Sequence, residues 1–486
     1  MNITKNVKNK NPKFLGYRIL IPSKLNLEEI LDANRPNFTY NFQFFLHLVN
    51  LTIQIPALNS ELYRPDGFVP FNAQRLQKVN HSYNKHLEYL VEQNVLEVLN
   101  NGQYIVGDKS RCYRIAEKYL SDKLETIDIT DRTLLKHLTK EQTSSFIAGC
   151  DYPYLHKWFN DGIHVDFEGA MNHINSELQI AKKEDYYHAY CIAYSKMLKI
   201  HWLNQKRYWF NIDGFGNRLH TNFTNLNKDL KPFIFYNGKS LVSIDIKTSQ
   251  PFMSLKILNE ALHNILFPNN TLLIPSPPSP TSISSPSNTI MLVKSQHIDY
   301  QSIEKFMEIV QSGMLYEHLV EVIRPNLGDR YFTDDYFDVD SKAWVKCEPK
   351  PRDRVKKTMF QIFFSKNSTH TPEKTLFAEH FPGVMKIFTE INGDMSICEA
   401  DRHKQLAKQL QCLESHIMLD LVAKEISRQR PLLPIFTIHD SIVTTVGNEG
   451  FVKEIMEKII TQEIGFVPKL EPEYWCKNCS GLKQAA

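Results

Sequence analysis

Two short stretches constrain this chain more than any other part of the sequence. Each has the residue pattern of a β-strand that leads to one aspartate. Residues 434–445 (PIFTIHDSIVTT) place apolar and β-branched residues on both sides of His439-Asp440. This pattern predicts a strand, a tight turn and a second strand. Residues 240–247 (SLVSIDIK) have the same design and reach Asp245. Each stretch therefore predicts a single carboxylate held at the end of a rigid strand.

Two aspartates on adjacent strand ends can hold a pair of magnesium ions, the arrangement used for phosphoryl and nucleotidyl transfer. Aspartate is also common in turns, so Asp245 and Asp440 are equally consistent with two unrelated strand ends. A third stretch, which lies between them in the chain, bears on this choice and is described below.

Composition and charge limit the class of protein. The chain has 486 residues, enough for about two to four domains. Its hydrophobic content of 42% and charged content of 23% are typical of a soluble globular protein. The net charge is only +3, so a surface for nucleic acid would have to be a local basic patch.

Several features predict a cytoplasmic protein. No apolar run approaches the ~18 residues of a membrane span, and the first residues, MNITKN, lack the apolar core of an export signal. The eight cysteines are scattered, as expected for reduced thiols. Cys476 and Cys479 form a lone C-x-x-C, which is only half of a zinc site.

The N-terminal third predicts helices followed by a basic hairpin. Helical spacing covers 41–57 and 75–99, and two short β segments then flank Gly107-Asp108. A helix followed by a basic hairpin resembles a winged-helix DNA-binding module, but a structural hairpin capping a helical domain fits equally well. In the first case three cations would meet phosphates on or beside the wing: Lys109, Arg111 and Arg114.

The third stretch predicts a helix with cations and aromatics on one face. Within 352–366 (RDRVKKTMFQIFFSK) four side chains recur every four residues: Arg352, Lys356, Phe360 and Phe364. On a helix this spacing aligns them. The cations can hold a triphosphate and the aromatics can stack on a base and sugar. The alternative is an amphipathic helix whose phenylalanines lie in the core and whose cations lie at its rim.

These stretches together resemble the motifs of one polymerase superfamily. The pattern Arg-x-x-x-Lys-x-x-x-Phe-x-x-x-aromatic resembles the fingers helix shared by family A DNA polymerases and the single-subunit RNA polymerases of phages and mitochondria. In that superfamily the first aspartate precedes this helix, like Asp245, and a His-Asp pair follows it, like His439-Asp440. A Gly-Asn-rich stretch at 213–226 also resembles the segment before the first aspartate in family A. The resemblance covers about the C-terminal 280 residues, roughly a domain or two by size.

The resemblance implies an α/β (α+β) fold, a right-hand polymerase with palm, fingers and thumb. The residues before it predict a mainly helical N-terminal region, for which a winged helix is one of the two alternatives given above. The segments expected on this basis are a DNA-binding region at 1–125, a thumb-like helical region at 126–205, the first part of the palm at 206–260, fingers with a Pro/Ser-rich insertion at 261–400, and the second part of the palm at 401–486.

The resemblance also implies roles for individual residues. Two Mg²⁺ ions, or Mn²⁺ in their place, would be held by Asp245, Asp440 and the backbone carbonyl of Ile246. Arg352 and Lys356 would bind the phosphates, with Lys356 donating a proton to pyrophosphate. Phe360 and Phe364 would pack on the nucleotide. His439 would orient the primer end, and Arg218 and His220 would contact template or primer.

The resemblance leaves the sugar open. Gln250 lies five residues after Asp245, where it is long enough to crowd a 2′-hydroxyl and to favour deoxynucleotides. His439-Asp440-Ser441 instead resembles the RNA polymerases. We therefore expect a primer-extending DNA polymerase acting on DNA template and primer with nucleoside triphosphates. The alternatives are an RNA polymerase or primase and a non-catalytic DNA-binding replication protein.

Two further expectations complete the sequence prediction. Partners from a replication system or a mobile element would suit such a protein, whereas a membrane would not. A helix predicted at 406–426 carries Gln411 and Glu414, which we expect on a solvated face.

Overall fold

The computed structural model of the protein describes residues 17–59, 62, 66–102, 110–183, 185–266, 298–333, 336–338, 343–345, 349–393, 395 and 397–476. Gly107-Asp108, Lys109, Cys479 and the Pro/Ser-rich insertion lie outside these ranges. The chain divides into two compact units. The first comprises 1–211, 221–240 and 475–478, and the second comprises 212–220, 241–474 and 479–486. The five-part division expected from the sequence stays a prediction.

The first unit combines helices with short strands. Its helices are α1 (Leu27–Ala33), α2 (Phe42–Leu58), α3 (Ala73–Val79), α4 (Tyr83–Glu92), α5 (Arg132–Cys150), α6 (Pro153–His156), α7 (Phe167–Ala181) and α8 (Tyr186–Asn204). Its strands are β1 (Tyr17–Pro22), β2 (Val69–Pro70), β3 (Leu96–Val98), β4 (Cys112–Ile115), β5 (Leu124–Ile129), β6 (Ile163–Val165), β7 (Phe210–Ile212), β8 (Leu219–Thr221) and β9 (Ile234–Tyr236), with β7 and β8 running across the division.

The region predicted as a helix followed by a hairpin has a more detailed structure. The chain runs α2, β2, α3, α4, β3, β4, and β4 lies between β2 and β3 in an antiparallel sheet. The prediction of one helical region over 75–99 was wrong at its end, because Leu96 lies in β3. Asn94 has φ of 54°, and a left-handed residue there ends α4 and turns the chain into the strand. The winged-helix assignment stays a prediction.

The second unit contains both predicted aspartates. Its helices are α9 (Ser249–Leu266), α10 (Tyr300–Ser312), α11 (Leu315–Leu327), α12 (Pro351–Phe364), α13 (Pro372–His380), α14 (Pro382–Ile391), α15 (Glu399–Arg402), α16 (Gln405–Ser415), α17 (Lys424–Gln429) and α18 (Glu449–Ile464). Its strands are β10 (Lys239–Ile246), whose first two residues belong to the first unit, β11 (Tyr336–Asp338), β12 (Ala343–Val345), β13 (Ile435–Ile438), β14 (Ser441–Thr445) and β15 (Leu470–Tyr474).

An antiparallel sheet organises the second unit. Strand β10 lies between β14 and β15, and β13 lies outside β14. A π-helical segment, His416–Ala423, joins α16 to α17 without a break, and α18 packs on β14 and β15. The predicted mixture of helix and sheet is therefore present. None of the described helices is long and apolar enough to cross a bilayer.

Candidate active site

A tight hairpin presents Asp440. Ile438 pairs with Ser441 across β13 and β14, so the loop consists of His439 and Asp440 alone. His439 has φ of 51°, the positive value that two-residue hairpin loops adopt at their first position. The β-branched and apolar residues on both sides form the strands that hold this loop in place. The sequence prediction of strand, tight turn and strand is confirmed.

Asp245 lies on the neighbouring strand. It faces Ser441 in the antiparallel pairing of β10 with β14, and the N–H of Ile246 donates to the backbone carbonyl of Asp440 at 3.4 Å. Side chains alternate along a strand, so Asp245 lies on the face opposite to Ile244 and Ile246. The register therefore brings two acids that are far apart in sequence to adjacent strand ends.

The electrostatic environment of Asp440 is strongly acidic. Burial raises the pKa of its carboxyl group, and the negative charges of Glu414 and Asp245 raise it further, to about 7. Carboxylates that oppose each other's ionisation gain from a divalent cation, which supplies the missing positive charge. Carboxylate oxygens are also the ligands that Mg²⁺ prefers. The donor set therefore fits a divalent metal.

Glu414 is fully engaged in the interior of the unit. It is 1% exposed, and its two oxygens receive different donors. Oε1 accepts from Nε and Nη2 of Arg218 at 2.9 and 2.6 Å. Oε2 accepts from Oγ of Ser249 at 3.0 Å and from Nε2 of Gln250 at 2.5 Å. The expectation of a solvated face for Glu414 was wrong, because a cation and two polar donors stabilise its charge in the interior.

The loop after β7 holds an aspartate–histidine pair. Oδ2 of Asp213 lies 2.9 Å from Nε2 of His220, and its Oδ1 accepts from the N–H groups of Phe215 and Gly216 at 2.9 and 2.6 Å. Burial opposes ionisation of Asp213, but these hydrogen bonds outweigh it and lower the pKa to about 2. Asp213 therefore stays ionised and orients the imidazole of His220.

His439 is a neutral base beside this pair. Its ring lies 5.3 Å from that of His220 at 71°. Burial, together with the positive charges of Arg218 and His220, lowers the pKa of His439 to about 4. Its Nδ1 is buried and has no hydrogen-bond partner among the described residues. An uncharged imidazole with an unused nitrogen can bind a hydroxyl group.

The same loop lies directly against α16. A Cβ placed on Gly216 would come within 2.6 Å of Cβ of Gln411, so only glycine allows this approach. Oγ of Ser415 donates to the carbonyl of Gly216. This contact fixes Arg218 in reach of Glu414.

On α12, the four side chains predicted to align, called the stripe below, lie on the side that faces solvent. Arg352, Lys356 and Phe360 are exposed, and Phe364 is half-buried. The opposite face is buried and consists of Val355, Thr358, Met359, Ile362 and Phe363. The alternative in which the phenylalanine stripe fills the core is therefore wrong for Phe360, which is 43% exposed. An exposed face of cations and an aromatic ring is available to a ligand.

The two faces of α12 are expected to respond differently to truncation. Phe363→Ala should cost about 3–5 kcal/mol of unfolding free energy, because Phe363 is 1% exposed and its removal leaves a cavity. Phe360→Ala should change stability by less than about 0.5 kcal/mol, as expected for a surface site. Urea unfolding of both variants measures the difference. A large loss for Phe360→Ala would contradict this assignment of faces.

Two residues of α11 contact the first cation of α12. Nε of Arg352 donates to Oε1 of Glu317 at 3.0 Å, and the Arg352 guanidinium lies 5.3 Å from the ring centre of Tyr316. Burial raises the pKa of Tyr316 to about 12, with Arg352 lowering it and the charge of Asp440 raising it. The charges of both Arg352 and Asp440 therefore influence the pKa of Tyr316.

The cations predicted for the wing have different surroundings in the first unit. Arg114 bonds the carboxylate of Glu97 at 2.7 Å, and its guanidinium lies 3.7 Å from the ring centre of Tyr187. Arg111 is exposed and lines a cavity of about 690 Å³. The DNA-binding role of Arg111 and Arg114 stays a prediction, and Lys109 lies outside the described residues.

One other cluster has the composition of a metal site. Among the described residues, the ligand atoms of His173, Glu177 and Asp229 all lie within 4.8 Å of one another. The ammonium group of Lys196 lies 2.5 Å from Glu177 and 2.7 Å from Asp229. Because this cation already neutralises the acids, the cluster is better explained as an ion-pair network.

Sequence reasoning assigned no role in the site to three of its residues. Glu414 and Tyr316 carry no local signal, because each is one polar or aromatic residue on an amphipathic helix. Asp213 was noted only as part of a Gly-Asn-rich loop. Its position three residues before Gly216 is the spacing at which an aspartate accepts backbone N–H groups in a turn, which could have indicated its role.

Comparison with known proteins gives little beyond this geometry. No protein-family model matches the chain, and no curated protein matches it in sequence. Among solved structures, the POL domain of Pol1 from M. smegmatis, in complex with DNA primer-template and dNTP, is similar over 71% of this chain and 73% of that chain. The sequence identity is 11% and the TM-score is 0.43. Values this low do not establish a shared fold.

Proposed function

We propose that the chain is a template-directed nucleotidyltransferase that extends a primer with deoxynucleoside triphosphates. The observation that carries this proposal is the pairing of β10 with β14, which holds Asp245 and Asp440 on adjacent strand ends. The same unit exposes the cation–aromatic stripe of α12. Paired acids in the same unit as an exposed row of cations and aromatics suit transfer of a nucleotidyl group better than hydrolysis, which leaves the stripe unexplained.

Asp245, Asp440 and the backbone carbonyl of Ile246 would hold two Mg²⁺ ions, with Mn²⁺ as an alternative. Such ions lower the pKa of the primer 3′-hydroxyl and stabilise charge on the leaving pyrophosphate. The protein's part is to fix the carboxylates, and the pairing of Asp245 with Ser441 does so without relying on a mobile loop.

The triphosphate would bind along α12. Arg352 and Lys356 would contact its phosphates, and Arg352 would exchange its bond to Glu317 for one to a phosphate. Lys356 would give its proton to the departing pyrophosphate. Phe360 and Phe364, whose ring centres lie 5.7 Å apart, would pack on the base and sugar.

The primer end would lie at the hairpin. His439 is neutral, so its buried Nδ1 can orient the 3′-hydroxyl without adding positive charge. His220 and Arg218 would support this contact from the neighbouring loop. In this assignment the sheet around β10 forms a palm, α10 to α14 belong to the fingers, and the first unit grips DNA through Lys109, Arg111 and Arg114.

RNA synthesis is the second candidate. Ser441 follows Asp440, and its Oγ donates to the carbonyl of Ile438 at 3.0 Å. The hairpin therefore carries a hydroxyl group where the DNA polymerases that the sequence resembles mostly have another carboxylate. Use of ribonucleotides would then be expected in place of deoxynucleotides.

Extension of a labelled primer on a DNA template tests the proposal. Wild-type protein with Mg²⁺ is expected to add the complementary dNTP and to stop when that nucleotide is withheld. Incorporation of rNTPs but not of dNTPs, with or without a primer, would favour the second candidate. Binding of the duplex without any extension, in the presence of either Mg²⁺ or Mn²⁺, would overturn both and leave a DNA-binding protein.

A further inference from the structure

The pair formed by Glu414 and Gln250 has a fixed polarity. A carboxylate only accepts hydrogen bonds, so the atom of Gln250 that lies 2.5 Å from Oε2 of Glu414 must be the amide nitrogen. The amide oxygen of Gln250 is thereby directed away from Glu414. This polarity follows from the chemistry of the two side chains alone.

The amide oxygen of Gln250 lacks a donor. Gln250 is 8% exposed, and its Oε1 is buried with no hydrogen-bond partner among the described residues. Leaving a buried acceptor unpaired costs about 1–3 kcal/mol. A ligand hydroxyl or amine would remove that cost, so this oxygen is a candidate contact for a bound molecule.

The position of the pair indicates which part of a nucleotide would lie there. Gln250 lies in the first turn of α9, five residues after Asp245, and Glu414 contacts the side chains of Gln250 and Ser249 in that turn. In the proposed function the acids would act at the α-phosphate, which is bonded to the 5′-oxygen of the sugar. The sugar would therefore be one of the groups close to the pair, and it carries hydroxyl donors.

We propose that Glu414 is a positioning residue that orients the amide of Gln250 toward the sugar of the incoming nucleotide and thereby sets the discrimination between ribose and deoxyribose. This inference rests on the proposed function. Arg218 completes the arrangement, because its two bonds to Oε1 hold the carboxylate and leave Oε2 for Gln250 and Ser249. By its size alone, Gln250 would only hinder a sugar from approaching. An amide held in one orientation can instead distinguish ribose from deoxyribose.

The test measures kcat/KM for a dNTP and for the matching rNTP. Glu414→Gln lets the amide of Gln250 turn over, because the new side chain can donate as well as accept. The ratio of the two kcat/KM values is expected to move toward one by about tenfold, and Gln250→Met should move it equally. Combining both changes should add nothing further, since they remove the same orientation.

Three more variants separate the effect of orientation from an effect on folding. Gln250→Glu places two carboxylates in contact and is expected to lower both stability and extension. Adding Glu414→Gln to it restores a carboxylate–amide pair, so stability and discrimination should recover together. Ser249→Ala is the matched control, because it removes a donor to the same oxygen without freeing Gln250, and the ratio should not change.

The outcomes distinguish the two proposals. An active wild-type protein whose ratio is unchanged in Glu414→Gln and Gln250→Met would overturn this inference and leave the proposed function intact. Independent shifts that multiply in the double variant would also overturn it. A wild-type protein that incorporates neither nucleotide would overturn the proposed function, and this inference with it.

Discussion

Asp440→Asn is expected to reduce primer extension by at least about 10³-fold, equivalent to about 4 kcal/mol of transition-state stabilisation. The change removes a ligand charge from the acid pair and leaves the hairpin unaltered. The variant should remain folded and should melt at the same or a higher temperature without metal, because the ionised Asp440 is destabilised by burial and by Glu414 and Asp245. Steady-state extension assays and thermal melting measure the two effects.

Asp401→Asn is the matched control for this prediction. Asp401 is exposed and pairs with nearby Lys404 at 2.8 Å, so its loss should leave extension within about twofold, as for an ordinary surface site. Mg²⁺ should raise the melting temperature of the wild-type protein and of Asp401→Asn, but much less that of Asp440→Asn. An Asp440→Asn enzyme that keeps a tenth of wild-type activity would contradict the role of this acid.

The parts of the site that the sequence predicted are those fixed by local patterns. Short runs of apolar and β-branched residues indicate strands, and a two-residue turn between two such runs indicates a hairpin, so β10 and the β13–β14 hairpin could both be expected. The pairing of these strands is not local. Its prediction depended on the order of three short motifs, and the structure then supplied the register that sets Asp245 opposite Ser441.

Helix α12 marks the limit of arguments from periodicity. A four-residue spacing aligns Arg352, Lys356, Phe360 and Phe364 whichever way the helix turns, so the pattern was compatible with a core face as well as a surface. The deciding face is the other one, where Val355, Met359 and Phe363 are buried. The sequence contains that second stripe, and its greater apolar content could have indicated the orientation.

Glu414 could not have been placed from the sequence. A glutamate on an amphipathic helix is usually solvated, and its burial depends on partners from two distant segments, Arg218 and Gln250. These partners were named for other reasons, as contacts for primer and sugar. Their contact with the same carboxylate depends on the tertiary structure. It changes the expected role of Arg218 from a direct nucleic-acid contact to a support for Glu414.

Lys356→Met is expected to lower kcat/KM for the incoming nucleotide by about 10²–10³-fold, because it removes both a phosphate contact and a proton donor. Lys356 is exposed on the stripe of α12, so the free energy of unfolding should change little. Lys356→Arg separates the two roles. Arginine keeps the charge but does not give up a proton, so KM should recover toward the wild-type value while kcat stays low.

Lys357→Met is the control that the chain itself offers. Lys357 is also exposed but points about 100° around the helix axis from Lys356, so it shares the general positive charge without lying on the stripe. Its replacement should leave kcat/KM within about threefold of wild type, the size of a general surface-charge effect. Equal losses for Lys356→Met and Lys357→Met would mean that α12 attracts nucleotides by charge alone, and the triphosphate would then have to be placed elsewhere.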